Sequence, residues 1–416
     1  MKKQFLNAAE DIGIKLCRDA IWENERCNWV TIDKGIDGKK TEYSFFRSLG
    51  GNFYDGTSGV ALFLASLASV SEEPVFMKTA IGALNQALST RQKMAEYPSA
   101  LLGFHVGWVG IAYTSIYIGR KTGMQKFVEA GLEMIATLAA REGTDYGLDV
   151  IDGIAGALPA FIQIYQAYPE HSIREFVIKL GDTLLEKAEK EPNGWSWNTI
   201  SEANRNLTGF AHGVAGIMHA LLELYGFTKE KKYLDAAYEG WRYERHCYND
   251  QEKNWPDFRK FSHSPQDVSY PCLWCHGAAG IGLSRARAYQ VTNDPAFKEE
   301  AYSAINTTME KTAFGNSLGA SLCHGVMGNL ELLLFASTAL DDPGLAVAAE
   351  ELGIQGYEMH IKKGMPWVNG LHNTYQVPGF MLGLAGIGYQ YLRLYGPLVF
   401  PSCLIMNPGH APCFDS

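Results

Sequence analysis

The chain has 416 residues, 47% hydrophobic and 19% charged, with a formal net charge of −9 at pH 7. This is a globular composition with ample material for a large core, and an acidic balance without any Lys/Arg-rich run excludes nucleic acid as an expected partner. The first residues reach Glu10 and Asp11 without an uninterrupted apolar core, and Gly379–Ile387 is too short for a membrane span, so neither a secretory signal nor an integral membrane segment is predicted and the expected compartment is the cytoplasm.

Taken in chain order, one unit recurs seven times: a Gly-x-x-Gly, an apolar helical run, then a more polar amphipathic one. Gly56–Gly59 opens VALFLASLASV, followed by PVFMKTAIGALNQAL. Gly107–Gly110 opens IAYTSIYIG, followed by KFVEAGLEMIATLAARE, and Gly153–Gly156 opens ALPAFIQIYQAY, followed by REFVIKLGDTLLEKAEK. A polar loop over 191–206, with Trp195 and Trp197, then leads to Gly213–Gly216, IMHALLELYGF and KKYLDAAYEGWRYERH. A second long loop, 247–271 with Trp255, precedes Gly277–Gly280, IGLSRARAYQ and AFKEEAYSAINTTMEKTA. Gly325–Gly328 opens NLELLLFASTAL, and Gly383–Gly386 opens IGYQYLRLYG. Asp294-Pro295 and Asp342-Pro343 are helix starts with Pro in the first turn.

The amphipathic segments carry apolar residues at three- and four-residue intervals, so each unit is predicted to be one inner and one outer helix. Strand signals are sparse. An open solenoid needs polar caps at its ends, and the last unit is as apolar as the middle ones. The prediction is an all-α fold, a closed (α/α) toroid forming one body over 1–416, with repeats from about 54 to 395. The glycines open the inner helices, where a missing side chain lets backbones crowd.

In a ring, equivalent positions share one rim. Immediately before the first Gly of each unit stand Asp55, Val106, Asp152, His212, His276, His324 and Leu382; one residue earlier stand Tyr54, His105, Ile151, Ala211, Cys275, Cys323 and Met381. Cys275 and Cys323 are in register, with His324 adjacent. Two thiolates and an imidazole make a three-ligand zinc site with a vacant fourth position. Cys272 in Cys-Leu-Trp-Cys is a rival ligand outside the repeat register. The eight cysteines of this large chain are otherwise read as free thiols rather than a disulfide framework. His212, without a neighbouring Cys, suits proton transfer better than ligation. Register favours Asp152 as its orienting acid, with Asp149 also possible. His276 is a further candidate for proton transfer, and the Trp274 ring next to Cys275 is the expected substrate contact.

The seven repeats with FAHGVAG, WCHGAAG and CHGVMG together resemble the lanthionine synthetase C-like family, from about Tyr54 to Tyr395. The resemblance implies seven inner and seven outer helices. It places one Zn2+ on Cys275, Cys323 and His324, and the active-site histidine at His212. Its aspartate pattern falls on Asp149 rather than Asp152. It further implies addition of peptide cysteines to dehydroalanine or dehydrobutyrine, closing thioether rings in a dehydrated precursor peptide. A separate dehydratase is expected beside this chain, and a transporter is a further candidate partner. Stand-alone bacterial members typically read Trp-Cys-Tyr-Gly with Arg four residues before the Cys. Here the sequence is Trp-Cys-His-Gly with Pro271 at that position, a form more typical of dehydratase-fused cyclases and eukaryotic relatives. Two alternatives stay open at this point: glutathione addition to dehydroamino acids, and a non-catalytic peptide-binding toroid with a structural zinc. A toroidal glycosidase is disfavoured, because no carboxylate pair stands in register.

Overall fold

The computed structural model describes residues 1–36, 42–96, 98–143, 145–201, 203, 205–259, 268–315, 318–368 and 375–407. Among them are fourteen α-helices: α1 (Lys2–Asp19), α2 (Thr57–Ala68), α3 (Pro74–Met94), α4 (Trp108–Thr122), α5 (Gln125–Ala139), α6 (Ile154–Ala167), α7 (His171–Glu186), α8 (Val214–Thr228), α9 (Lys231–Cys247), α10 (Ala278–Thr292), α11 (Pro295–Lys311), α12 (Val326–Ala339), α13 (Pro343–Gly356) and α14 (Leu384–Tyr395). Even-numbered helices begin inside the Gly-x-x-Gly units and odd-numbered ones are the amphipathic partners.

The contacts close on themselves. Inner helices touch in the order α2, α4, α6, α8, α10, α12, α14 and back to α2. Each inner helix packs against the outer helix that follows it, except that α14 takes α1 from the other end of the chain. This is the all-α toroid. The N-terminal helix is its closing piece, with Phe5, Ala8, Ala9, Ile12 and Leu16 all buried.

Inner helices are apolar all round because both faces are covered: every residue of α14 from Leu384 to Leu394 is buried. Outer helices bury a stripe, as α7 does with Ile173, Phe176, Val177, Leu180 and Leu184. The Asp-Pro starts behave as read: Asp294 accepts from Ala296 N–H and Asp342 from Gly344 N–H.

The second glycine of each unit is fixed by a close backbone approach. A Cβ on Gly280 would lie 1.9 Å from the Trp274 carbonyl oxygen, and one on Gly328 1.8 Å from that of Leu322. The carbonyl six residues back blocks the other five in the same way. The turn before each inner helix therefore folds back tightly over the first helical turn.

Among the described residues three antiparallel two-stranded ribbons interrupt the helices: β1 (Ile21–Glu23) with β2 (Arg26–Asn28), β3 (Val30–Ile36) with β4 (Glu42–Ser48), and β5 (Glu189–Glu191) with β6 (Gly194–Ser196). After α14 the chain turns back inside the ring. Cys403, Leu404, Ile405 and Met406 are buried there. Arg393 holds this strap by donating to the Phe400 carbonyl at 2.6 Å, and Trp274 Nε1–H donates to that of Leu404 at 3.0 Å. Among the described residues no helix is long and apolar enough to cross a membrane.

Candidate active site

The turns that precede the inner helices are stitched together by backbone hydrogen bonds around one rim. Tyr54 N–H donates to His105 O (2.8 Å), Val106 N–H to Ile151 O (3.3 Å), Val150 N–H to Ala211 O (3.0 Å) and Ala211 N–H to Cys275 O (3.1 Å). On the other side Cys323 N–H donates to Met381 O (2.9 Å), and Met381 N–H to Tyr54 O (2.7 Å). That links six of the seven junctions. Among the described residues no such bond joins the Cys275 turn to the Cys323 turn. At that gap the two side chains come together instead.

There the ligand atoms of Cys275, Cys323 and His324 all lie within 4.8 Å of one another. Cys275 and Cys323 are buried, and Cys323 Sγ is 3.8 Å from His324 Nε2. A hydrogen bond from Cys323, opposed by burial, holds the Cys275 thiol well below its ordinary range. Burial first, then Cys275, pushes Cys323 well above it. His324 Nδ1 is buried with no hydrogen-bond partner. Two buried sulfurs that cannot both ionise alone, beside an unsatisfied imidazole nitrogen, fit a zinc ion in charge, softness and ligand type. Cys272 lies apart, its thiol 3.4 Å from Thr308 Oγ1. None of the seven described cysteines is in a disulfide.

His212 stands on the same rim, its Nδ1 2.5 Å from Asp149 Oδ2. Asp149 is buried, and its Oδ1 accepts the N–H groups of Ile151 and Asp152 at 2.9 and 3.0 Å. Its position is thus set by its own turn. Burial opposes both charges, but the mutual hydrogen bond and attraction outweigh it: His212 is raised above its ordinary value and Asp149 lowered below its own. Asp152 makes no bond to His212 that competes with this one; burial, then the Asp149 charge, pushes it up to about 7. Repeat register alone favours Asp152 against His212, but Asp149 stands there.

His276 lies against His212, ring centroids 5.8 Å apart and planes at 26°. It is buried, neither ring nitrogen has a hydrogen-bond partner, and the carboxylate of Asp257 is 3.7 Å from Nδ1. Burial lowers it to about 4. Trp274 is 0% exposed, so its ring braces the Cys275 turn from beneath and offers no surface to a substrate.

Several supporting residues carried no local signal in the sequence. Glu244, fully buried on α9, accepts from Gly209 and Ala215 N–H at 3.0 Å each and so brackets the His212 turn. Arg285 on α10, also fully buried, neutralises it at 2.8 Å and reaches Glu300 at 2.7 Å. Thr199, in the first long loop, donates to the His212 carbonyl. The buried Tyr54 hydroxyl is a neighbour of the Cys323 thiol and eases its ionisation.

The family model for lanthionine synthetase C-like proteins matches residues 47–405. The chain belongs to this family. Among relatives, the lacticin 481/lactococcin biosynthesis protein LcnDR2 of Lactococcus lactis subsp. lactis is 24% identical over 391 residues. That match takes in 89% of this chain but 38% of LcnDR2, so the chain spans well under half of that relative's length. Glutathione S-transferase LANCL1 of Danio rerio is 22% identical over 315 residues, 70% of each chain. The solved structure of nisin cyclase superposes with a TM-score of 0.66 at 16% identity, over 86% of this chain and 92% of that one, a likeness of fold.

Proposed function

We propose that the chain is a zinc-dependent lanthipeptide cyclase that adds peptide cysteine thiols to dehydroalanine or dehydrobutyrine. The observation that carries this is the Cys275–Cys323–His324 cluster on one rim with the His212–Asp149 pair. Cys275, Cys323 and His324 are the residues that would hold the zinc. When bound, it supplies the Lewis acidity by which a substrate thiol loses its proton at neutral pH.

The chain's own groups account for the rest. The sulfur adds to Cβ, the π pair moves toward the carbonyl oxygen, and Cα then needs a proton. His212, whose protonated form Asp149 favours, is the donor. The buried His276 ring walls its other face and excludes water from that proton, and it is the second imidazole available to the site. Trp274 positions Cys275 by tying its turn to the strap at Leu404. Both reactants belong to one peptide, so tethering supplies effective concentration. The substrate is a precursor peptide whose Ser and Thr have been dehydrated, by an activity outside these 416 residues, in the cytoplasm.

The test is incubation with dehydrated precursor peptides followed by thiol alkylation. Peptide cysteines become resistant to alkylation if the proposal is right. Cysteines that stay alkylatable across all such peptides, or that are consumed only when glutathione is added, rule it out.

A further inference from the structure

We propose that Arg259 is a catalytic residue of this site, whose guanidinium receives the carbonyl oxygen of the dehydroamino acid and takes up the negative charge formed there as the carbon–sulfur bond is made. This rests on the cyclase reading above and adds to it a group outside the Gly-x-x-Gly repeats, in the loop that follows α9.

The loop brings Arg259 to the rim through Asp257. Asp257 is 2% exposed, and its backbone N–H donates to Ser269 O at 2.9 Å, pinning that part of the loop. Its carboxylate accepts Arg259 N–H at 3.0 Å, Nε at 3.1 Å on both oxygens, and Nη2 at 2.7 Å. A planar fork held along its Nε–Nη2 edge has a fixed plane, which a lysine in the same place would lack. The same Asp257 oxygen lies 3.7 Å from His276 Nδ1, and His276 stacks on His212. Arg259, Asp257, His276, His212 and Asp149 thus form successive layers beside the cysteine cluster. The Arg259 side chain remains 29% exposed at the outer end of this stack. Its positive charge acts on the acid of the site, opposing protonation of His212.

The chemistry needs such a charge. The substrate thiol gives up its proton, sulfur bonds to Cβ, and the Cα=Cβ pair passes to the carbonyl oxygen as an enolate. A proton from His212 then restores the carbonyl and leaves Cα–H; nothing is oxidised or reduced. A fixed donor aimed at that oxygen stabilises the enolate without reorganising solvent. An unpaired guanidinium would also discharge His212. The Asp257 carboxylate between them moderates that effect, so the cation and the acid coexist.

The experiment compares wild type, Arg259→Gln and Arg259→Lys at saturating dehydrated precursor peptide, with zinc content and thermal midpoint measured on each protein. Arg259→Gln is expected to keep zinc and midpoint, and to close rings on the order of a hundredfold more slowly. Arg259→Lys falls between the two, and millimolar guanidinium restores part of the Gln variant's rate. Ring closure at the wild-type rate in Arg259→Gln overturns the proposal. So does a slow rate that tracks zinc loss and ignores guanidinium, which marks a structural prop. A wild-type protein that forms no thioether defeats the cyclase reading itself and takes this proposal with it.

Discussion

Replacing Asp149 with asparagine isolates the electrostatics of proton transfer, because it keeps nearly the same shape. The amide oxygen can take over the Oδ1 role and still accept from Ile151 and Asp152 N–H. The amide nitrogen then faces His212 Nδ1, where a carboxylate oxygen now sits at 2.5 Å. Two things follow. The imidazolium loses a charged hydrogen bond worth about 1.5–3 kcal/mol, equivalent to about 10- to 150-fold in its population. The neutral ring must also accept at Nδ1 rather than donate, which reverses its tautomer; in a serine-protease triad the same exchange costs about 10⁴ in rate. Thioether formation should therefore fall by between about tenfold and about 10⁴-fold, most at the alkaline end, because the raised His212 is lowered and its acid form is lost at a lower pH. The same linkage acts on stability. The raised His212 stabilises the fold fully below its ordinary value of 6.5, and that stabilisation is lost as pH rises through the raised value. The lowered Asp149 stabilises above its ordinary 3.8, lost as pH falls through the depressed value. Both slopes should flatten in Asp149→Asn. The assay is ring closure by thiol alkylation from pH 5 to 9, with zinc content as the control. An unshifted alkaline limb in a variant that keeps its zinc would refute the pairing.

Three further outcomes are expected. Gly277→Ala puts a Cβ at φ +86 and 1.7 Å from the Pro271 carbonyl oxygen, so the Cys275 turn must move; a cost of about 1–3 kcal/mol for the backbone conformation alone should appear as a lower thermal midpoint together with weaker zinc retention, and an unchanged zinc affinity would contradict it. Arg285→Met leaves the buried Glu244 carboxylate uncompensated and should destabilise by about 3–5 kcal/mol in denaturant melts; a loss under 1 kcal/mol would show that the pair does not hold the His212 turn. Trp274→Phe removes the donor to the Leu404 carbonyl and should cost about 1–3 kcal/mol with KM for the peptide unchanged. A large rise in KM without loss of stability would instead make the ring a substrate contact.

The inner helices were legible because a backbone constraint repeats. A carbonyl folded over the helix start excludes any Cβ at Gly280, Gly328 and their equivalents, so the glycine pattern is written into the sequence seven times. The register of Cys275 and Cys323 followed from the same repeat. Ring closure by α1 was not legible, since its pairing with α14 joins the two ends of the chain and leaves no local pattern. The choice between Asp149 and Asp152 depended on how one turn folds: Asp149 caps its own turn through Oδ1, which aims Oδ2 at His212. Trp274 stood in the right register but points inward, toward a strap that no periodicity announces. Asp257 and Arg259 sit in the long loop over 247–271, outside the repeats, where no motif singles out a residue. Glu244 and Arg285 lie on helix faces that look like ordinary charged positions until the ring buries them.

If Cys275, Cys323 and His324 hold the zinc, thioether formation depends on that metal. Addition of a thiol to a dehydroamino acid leaves the peptide mass unchanged while removing a free thiol. One dehydrated precursor peptide should therefore be alkylated after incubation with native protein, chelator-stripped protein, stripped protein with zinc restored, and Cys323→Ala. The expected result is one zinc per native chain, protected thiols at unchanged mass in the native and zinc-restored reactions, and free thiols in the other two. Equal protection by the stripped protein or by Cys323→Ala would contradict it.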